Sequence, residues 1–157
     1  MNFMTASKIR AADIPDRLQL ARMRSLLWQE ASLEEHLAEV DTLLTVKTCG
    51  NFPIAIFAAE QGDGSLVGFL EVGMRSHADG CDPARPAGFV EGWFVDERFR
   101  NAGVGKQLMT TAEDWARAQG CHEIASDTWL DNEPSQRAHE ALGFEVVDRC
   151  VHFRKAL

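Results

Sequence analysis

The stretch from Phe89 to Lys106 constrains the fold of this chain more than any other part of the sequence. Its first half, Phe89–Val95, is a run of β-branched and aromatic residues that predicts a strand. Gly103 and Gly105 follow, and both permit positive φ angles and a close approach of the backbone. Residues 104–119 then predict a helix. A strand that leads through a glycine-rich turn into a helix is typical of α/β folds.

The start of this helix is a predicted anion site. The first N–H groups of a helix have no intrahelical acceptor, and the helix dipole adds positive partial charge at that end. Arg100 and Lys106 place cationic side chains beside them. A pyrophosphate is the anion that fits best, although the same residues also suit an ordinary strand–helix turn without a ligand. The spacing matches neither the Rossmann fingerprint nor a Walker motif.

The segment Arg100-Asn101-Ala102-Gly103-Val104-Gly105 resembles the signature of the GNAT acetyltransferases, Gln/Arg-x-x-Gly-x-Gly/Ala, which binds the pyrophosphate of acetyl-CoA. The resemblance implies acetyl-CoA as the co-substrate. It also implies that the strand backbone pairs with pantetheine and that the loop binds the pyrophosphate. The implied cofactor contacts are Trp93, Phe94, Val95, Arg100, Asn101, Ala102, Gly103, Val104, Gly105 and Lys106.

Length and composition indicate a single domain, residues 1–157, with a sizeable core, since 45% of the residues are hydrophobic. The sequence contains neither an apolar run long enough to span a membrane nor the apolar region of a signal peptide, which favours a cytoplasmic protein. The four cysteines are scattered, so no metal site is expected. The net charge of −8 argues against nucleic acid and anionic membranes as partners and permits a cationic one.

Hydrophobic patterning predicts the element order β-α-α-β-β-β-α-β-α-β. The elements are Met1–Ile9, a helix from Asp13 to about Trp28, a helix that begins at Ser32, Pro53–Glu60, Leu66–Arg75, Phe89–Val95, a helix from Val104 to about Gln119, His122–Leu130, Pro134–Leu142 and Phe144–Lys155. The helix after Phe89–Val95 must make a right-handed parallel crossover. The predicted fold is α/β, a GNAT-like single domain whose mixed central sheet is flanked by about four helices.

Two carboxylates stand in the middle of predicted strands, Glu91 in one and Asp127 in its neighbour. An acidic side chain in a core strand must be paired, exposed to a solvated cleft, or functional. Either residue could be held by a buried arginine or by backbone amides, and either could take a proton from an amine. That transfer matters because an amine with a pKa of about 10 is only about one part in a thousand neutral at pH 7. The acidic face of the second predicted helix is either solvated or one wall of a cleft for a polycation.

Further stretches resemble the aminoglycoside 6′-N-acetyltransferases of that family: Phe89–Gly92, Cys121–Asp127, Ala138–Phe144 and Val151–Lys155. The substrate contacts that this resemblance implies are Trp28, Glu91, Asp127 and Asp148. Asn132 is implied as a further cofactor contact. His139 occupies the position at which many GNAT enzymes place a tyrosine that protonates the departing thiolate. The loop after Arg75 usually carries a tyrosine in this family, but the chain has none, so His77 or Asp79 is expected to take its place.

The sequence therefore predicts an enzyme that transfers the acetyl group of acetyl-CoA to an amine of an aminoglycoside, with the 6′-amine as the expected position, and so confers resistance. Asp127 and Glu91 are the expected catalytic residues, and which of them is the base stays open. Two alternatives remain: a GNAT enzyme for another small amine such as a polyamine, and a non-catalytic acyl-CoA-binding module. The resemblance also implies a homodimer that forms through the C-terminal strands.

Overall fold

The computed structural model describes residues 6–157, which form a six-stranded sheet and four α-helices. The strands are β1 Lys8–Ala11, β2 Thr48–Cys49, β3 Phe52–Glu60, β4 Leu66–Arg75, β5 Ala87–Val95 and β6 Ile124–Ser126. The helices are α1 Arg17–Leu27, α2 Leu33–Val46, α3 Val104–Ala118 and α4 Glu133–Ala141. Short 3-10 segments, Ile14–Asp16 and Glu97–Phe99, precede α1 and α3.

The strands form one mixed sheet in the order β1-β3-β4-β5-β6, with β2 paired to β3 at the side. The pairs β1–β3, β3–β4 and β4–β5 are antiparallel, whereas β6 lies parallel to β5. The connection from β5 to β6 runs through α3, as a parallel crossover requires. The predicted fold class, a GNAT-like mixed sheet flanked by four helices, is therefore confirmed.

Apolar side chains cover both faces of the sheet. On one face, α1 and α2 bury Leu20 and Val40 against Phe69 of β4. On the other face, α3 buries Leu108 against Leu70, the next residue of β4. Adjacent residues of a strand point to opposite faces, so β4 contributes to both apolar clusters. Burying a side chain of this size stabilises the fold by about 1.5–3 kcal/mol, which holds α3 and the α1–α2 pair firmly on the sheet.

The helix caps that the sequence predicts are present. The carboxylate of Asp13 accepts the N–H of Ile14 at 2.8 Å and begins the 3-10 segment before α1. Ser32 and Glu35 form the predicted capping box at the start of α2. Gly143, just after α4, has a φ of 89°, the left-handed conformation expected for a C′ glycine.

A β-bulge interrupts the pairing of β4 with β5 at Glu91. Glu71 pairs with Gly92 and Val72 pairs with Val90, so Glu91 has no residue opposite it. A bulge bends its strand and increases the local twist. The last pair between β5 and β6 is Val90 with Ser126, so the two strands separate at the level of the bulge.

Two predicted strands are shorter or absent in the structure. The strand predicted over His122–Leu130 forms only at Ile124–Ser126, because β5 bends away beyond that point and leaves the following residues without a partner. The strand predicted over Phe144–Lys155 is not formed, and Val151 and Phe153 of this segment are exposed. Residues 1–5 of the strand predicted over Met1–Ile9 lie outside the described range, and within that range the strand begins at Lys8 and continues to Ala11.

Gly92 packs against Trp28, and this close contact predicts a specific loss of stability. A Cβ at Gly92 would lie 2.5 Å from Cη2 of the Trp28 indole, which is too close without displacing the ring. Gly92→Ala should therefore lower the free energy of unfolding by about 1–3 kcal/mol. Gly73→Ala on β4 is the matched control, because its nearest neighbour would lie at 3.6 Å. Equal thermal unfolding midpoints for the two variants would contradict this prediction.

Candidate active site

The free edge of β5 forms one wall of the candidate site. Beyond Val90, the described part of the chain gives β5 no strand neighbour on the side of β6. The N–H of Asp96 donates to Val67 of β4 at 2.8 Å. Because the backbone N–H and C=O groups of successive strand residues point to alternate sides, those of Val95 and Trp93 face the open side. A row of backbone donors and acceptors therefore faces the gap between the two strands.

The helix α3 begins at the end of this edge. Gly103 is its N-cap residue with a φ of 84°, and Asn101 in the same turn has a φ of 61°. No side chain caps the helix, and within residues 6–157 the N–H groups of residues 104–106 have no hydrogen-bond partner. Nε of Arg100 donates to the carbonyl of Val95 at 3.0 Å, which ties the loop to the end of β5. The predicted loop residues 100–106 thus surround a helix N-terminus that is open to an anion.

Two further contacts shape this region. A Cβ at Gly105 would lie 3.1 Å from the indole of Trp93, so glycine allows α3 to approach β5 closely. An open pocket of about 280 Å³ lies between α3 and α4. Its lining residues are Lys106, Met109, Thr110, Glu113, Ala141 and Leu142. Only Lys106 was predicted from the sequence, although the spacing of the four α3 residues already places them on one face of the helix behind the glycine loop.

His139 of α4 has both ring nitrogens occupied. Nδ1 lies 2.7 Å from the carbonyl oxygen of Ser135 and must donate to it, because a carbonyl only accepts. In the neutral ring, Nε2 then accepts the hydroxyl of Ser126 at 2.9 Å. The ring also packs edge-on between Trp93 and Phe144, at centroid distances of 5.1 and 5.3 Å. The neutral side chain therefore directs no free N–H group into the gap between the strands.

Asn132 lies at the start of α4, where its side-chain oxygen accepts the N–H of Ser135 at 3.2 Å. The predicted cofactor contact is thus also the helix cap, and the cap uses the oxygen of the amide rather than its nitrogen.

The two predicted catalytic acids stand in different surroundings. Glu91 is bound by Arg75 through two hydrogen bonds, at 3.1 and 2.8 Å. The guanidinium of Arg75 also lies 3.4 Å from the ring centroid of Phe89. The hydrogen bonds that Arg75 donates to Glu91 raise the pKa of Arg75, and the negative charges of Glu91 and Asp127 add to this shift.

The expectation that Asp127 stands in the middle of a core strand is wrong. It follows the last residue of β6, and its side chain is exposed. Within the described residues, the Asp127 carboxylate accepts no hydrogen bond and forms no ion pair, because the separation of β6 from β5 leaves it at the rim of the gap.

Trp28 and a buried ion pair lie directly beside Glu91. Trp28 follows α1, and the far edge of its indole contacts Gly92, the neighbour of Glu91 in β5. Behind it, Arg24 forms ion pairs with Glu71 of β4 and Glu39 of α2. Burial raises the pKa of Glu71, and the charge of Arg24 opposes that shift.

The remaining predicted substrate residues lie on the loop between β4 and β5 and in the C-terminal segment. His77 and Asp79 are exposed on the loop between β4 and β5, 3.8 Å apart. Asp148 is exposed, and its neighbour Val147 packs against Gly80 of that loop. The C-terminal segment and the loop are therefore adjacent, as a shared role in binding would require. Neither supplies an aromatic ring that packs against Trp28, whose ring partners in the described residues are His36 and Phe69.

Neither a metal site nor a membrane span is found in the described residues. No group of three or more His, Cys, Asp or Glu side chains is placed to hold a metal ion within residues 6–157. None of the helices in this range has the length and apolar character needed to cross a membrane.

A comparison with protein families matches residues 20–144 to the acetyltransferase (GNAT) family. The chain belongs to the GNAT family. The match begins within α1 and ends just beyond α4, and it includes the glycine loop, Trp28 and both acids. The resemblance noted in the sequence is therefore confirmed.

Curated relatives of this chain include several aminoglycoside N(6′)-acetyltransferases of type 1. The chain is 39% identical to an aminoglycoside N(6′)-acetyltransferase type 1 of Klebsiella aerogenes over 95% of its own length and 96% of the relative's. It is similar to AAC(6′)-Iy solved with the bisubstrate analogue CoA-S-monomethyl-acetylneamine, with a TM-score of 0.84, 34% identity and coverage of 98% and 100%. AAC(6′)-Iy in complex with CoA gives a TM-score of 0.86 at 34% identity, with coverage of 100% and 99%.

Sequence reasoning missed three charged residues that this GNAT protein places at the site: Arg75, Arg24 and Glu71. Arg75 and Glu71 come next to Glu91 only through the pairing of β4 with β5, and the bulge shifts that register. The position of Arg24 could have been predicted locally, because Arg24 precedes Trp28 by four residues at the end of α1, and residues at that spacing lie on the same face of a helix.

The open helix N-terminus predicts the effect of a substitution at Gly103. A β-branched residue is strained at a φ of 84°, so Gly103→Val should distort the turn and displace the N–H groups of residues 104–106. We expect the Kd for CoA to rise by about tenfold or more, because charge-assisted hydrogen bonds to phosphate are lost. Calorimetric titration measures this.

Gly120→Val is the matched control for that experiment. Gly120 also has a positive φ, 86°, but lies at the opposite end of α3. The prediction fails if Gly103→Val binds CoA as tightly as the wild type, or if both variants lose affinity equally.

Proposed function

We propose that this protein transfers the acetyl group of acetyl-CoA to the 6′-amine of an aminoglycoside and thereby confers resistance to that drug. One observation carries the proposal. The free edge of β5 has the open N-terminus of α3 at one end and a cluster of carboxylates at the other end. A CoA thioester and a cationic amine would meet between them. The relatives named for this activity support the same assignment.

The residues of the loop and the free strand edge would hold acetyl-CoA. The N–H groups of residues 104–106 would bind pyrophosphate, with Arg100 and Lys106 adding positive charge. The backbone of Trp93 and Val95 would hydrogen-bond pantetheine in place of a neighbouring strand. The pocket between α3 and α4 would extend this site, and Asn132 would contribute from α4. When bound, the co-substrate supplies an activated thioester, so the chain need not provide a nucleophile of its own.

The acidic cluster would bind the drug and prepare its amine. Three carboxylates, of Glu39, Glu71 and Glu91, pair with the two guanidinium groups of Arg24 and Arg75, and Asp127 would add a further negative charge to the site. Removing a proton from an amine of pKa about 10 costs roughly 4 kcal/mol at pH 7, so a positioned carboxylate is needed. Glu91 is held by Arg75 and suits ammonium binding, whereas Asp127 makes no such contact among the described residues and is the better base.

Contacts to the rest of the drug would come from two sides. Trp28 would pack against a sugar ring next to Glu91. His77, Asp79 and Asp148 would contact ammonium groups from the place where the loop and the C-terminal segment meet. These exposed residues would take over the part of the tyrosine that the family loop usually carries.

Assembly, domain structure and location belong to the same proposal. The C-terminal segment, residues 144–157, has a strand-like sequence but no strand partner within the described chain, and Val147, Val151 and Phe153 are exposed. We infer that it pairs with a second copy in a homodimer, which sedimentation equilibrium would reveal and a purely monomeric mass would contradict.

Residues 1–157 would form one domain, because both apolar clusters share β4. A cytoplasmic location and the absence of nucleic acid and membrane partners stay predictions.

The decisive experiment measures thiol release from acetyl-CoA in the presence of different amines. Kanamycin, which carries a 6′-amine, should support turnover, whereas a matched aminoglycoside with a hydroxyl at that position should not. Turnover with spermidine but not with kanamycin would indicate a polyamine acetyltransferase instead. Tight binding of CoA without turnover on any amine would indicate a non-catalytic module.

The proposed base predicts the effect of substituting Asp127. Asp127→Asn should lower kcat/KM for the drug by roughly a hundredfold, because proton transfer and amine positioning are both lost. Glu91→Gln should act mainly on the KM for the drug, because Glu91 is assigned to binding. Steady-state kinetics at saturating acetyl-CoA would measure both variants. A loss of less than about threefold for Asp127→Asn would exclude it as the base.

The contacts of His139 predict a minor role in departure of the thiolate. A thiol has a pKa of about 8.5, so its thiolate is a tolerable leaving group and general acid help has little to add. His139→Ala should therefore lower kcat by less than about tenfold, mainly through lost packing against Trp93. The measurement is kcat from pH 6 to 9 at saturating substrates. A loss above a hundredfold, together with loss of the high-pH limb of the profile, would instead make His139 the essential acid.

A further inference from the structure

Arg24 is almost completely buried, which is rare for an arginine. It lies in the second half of α1 and is only 5% exposed. Its Nη1 donates to Glu71 of β4, itself 3% exposed, and its Nη2 donates to Glu39 of α2. One guanidinium therefore joins α1, α2 and the central strand of the sheet.

The same guanidinium lies over the indole of Trp28. Cζ of Arg24 is 4.6 Å from the ring centroid, a distance typical of cation–π contacts. The rings of His36 and Phe69 are farther away, at 6.5 and 6.4 Å from the same indole. Among these groups Arg24 therefore lies nearest to the ring centroid, while the Cη2 edge of the indole contacts Gly92.

The backbone of Trp28 is held separately from its ring. Its N–H donates to the carbonyl of Arg24 at 2.7 Å, and its carbonyl oxygen lies 2.9 Å from Nε2 of His36. These bonds fix the chain at the end of α1 but leave the ring free to rotate about χ1 and χ2. The orientation of the indole therefore depends on the packing of its faces, to which Arg24 contributes most closely.

Stability alone does not account for a buried ion pair at this point. Replacing such a pair by apolar side chains of similar volume is often neutral or stabilising, because desolvation of the charges offsets their attraction. We propose that Arg24 is a positioning residue of the acceptor site: held by Glu71 and Glu39, it orients the indole of Trp28 beside Glu91 so that the indole can pack against the bound aminoglycoside. The inference rests on the proposed function for the identity of that ligand.

The test replaces the whole buried pair, because removing Arg24 alone leaves Glu71 buried without its counter-ion and destabilises the fold. The variant is Arg24→Met with Glu71→Leu. Glu39 is half-exposed and stays in place. We expect this variant to fold, and the KM for kanamycin to rise about tenfold through loss of the cation–π contact. The KM for acetyl-CoA should change by less than about twofold.

A double-mutant cycle shows whether Arg24 acts through the indole. In a Trp28→Leu background, replacing the pair should raise the KM for kanamycin by less than about threefold, because the group it orients is already gone. Equal effects in both backgrounds would overturn the proposal. Arg17→Gln is the matched control, since Arg17 of α1 also pairs with α2, through Asp41 at 3.0 Å, but on the exposed surface. It should leave both KM values unchanged.

An optical measurement separates this inference from the proposed function. The near-ultraviolet circular dichroism difference between the wild type and Trp28→Leu gives the signal of the oriented indole without any ligand. The Arg24→Met/Glu71→Leu variant should lose that signal, whereas Arg17→Gln should keep it. Retention of the signal by the folded variant would refute the positioning role. A wild type that acetylates no aminoglycoside would refute the proposed function, and the optical result would still decide the role of Arg24.

Discussion

The separation of β5 from β6 beyond Val90 is the constraint on which the rest of this structure depends. Backbone N–H and C=O groups at a sheet edge need partners, and a ligand that can hydrogen-bond along the edge supplies them. The bulge at Glu91 bends β5 at the same level, so the free edge begins where the strand changes direction. Because α3 starts at the far end of β5, the free edge leads directly to an uncapped helix N-terminus.

Charge around this gap is arranged by two arginines rather than by the acids alone. Arg75 holds Glu91 at the exposed side, and Arg24 holds Glu71 in the interior. Each guanidinium orients a carboxylate through charge-assisted hydrogen bonds. The net negative charge that remains suits a polycationic ligand, in agreement with the overall charge of −8.

Much of the candidate site could be predicted because its signals are local. The glycine loop, the helix caps and the strand before the loop depend on residues a few positions apart, and each forms where the sequence indicates. Asp127 was misplaced because the length of β6 depends on its partner rather than on its own β propensity. Arg75 was missed because its contact with Glu91 spans a hairpin whose register includes a bulge. The hydrogen bond between Nε2 of His139 and Ser126 also depends on tertiary packing, since it joins α4 to the last residue of β6.

The sequence by itself determined the family, the α/β class and the glycine turn before α3, since periodicity, capping residues and the spacing of Gly103 and Gly105 are properties of the chain. Only the tertiary structure decided which charges meet. It paired Glu91 with Arg75, buried Arg24 with Glu71 behind Trp28, and left Asp127 at the rim. The physical reason is that electrostatic and aromatic contacts act over a few ångströms in space. The register of β4 with β5 and the packing of α1 on the sheet set those distances, and neither is encoded in any one segment.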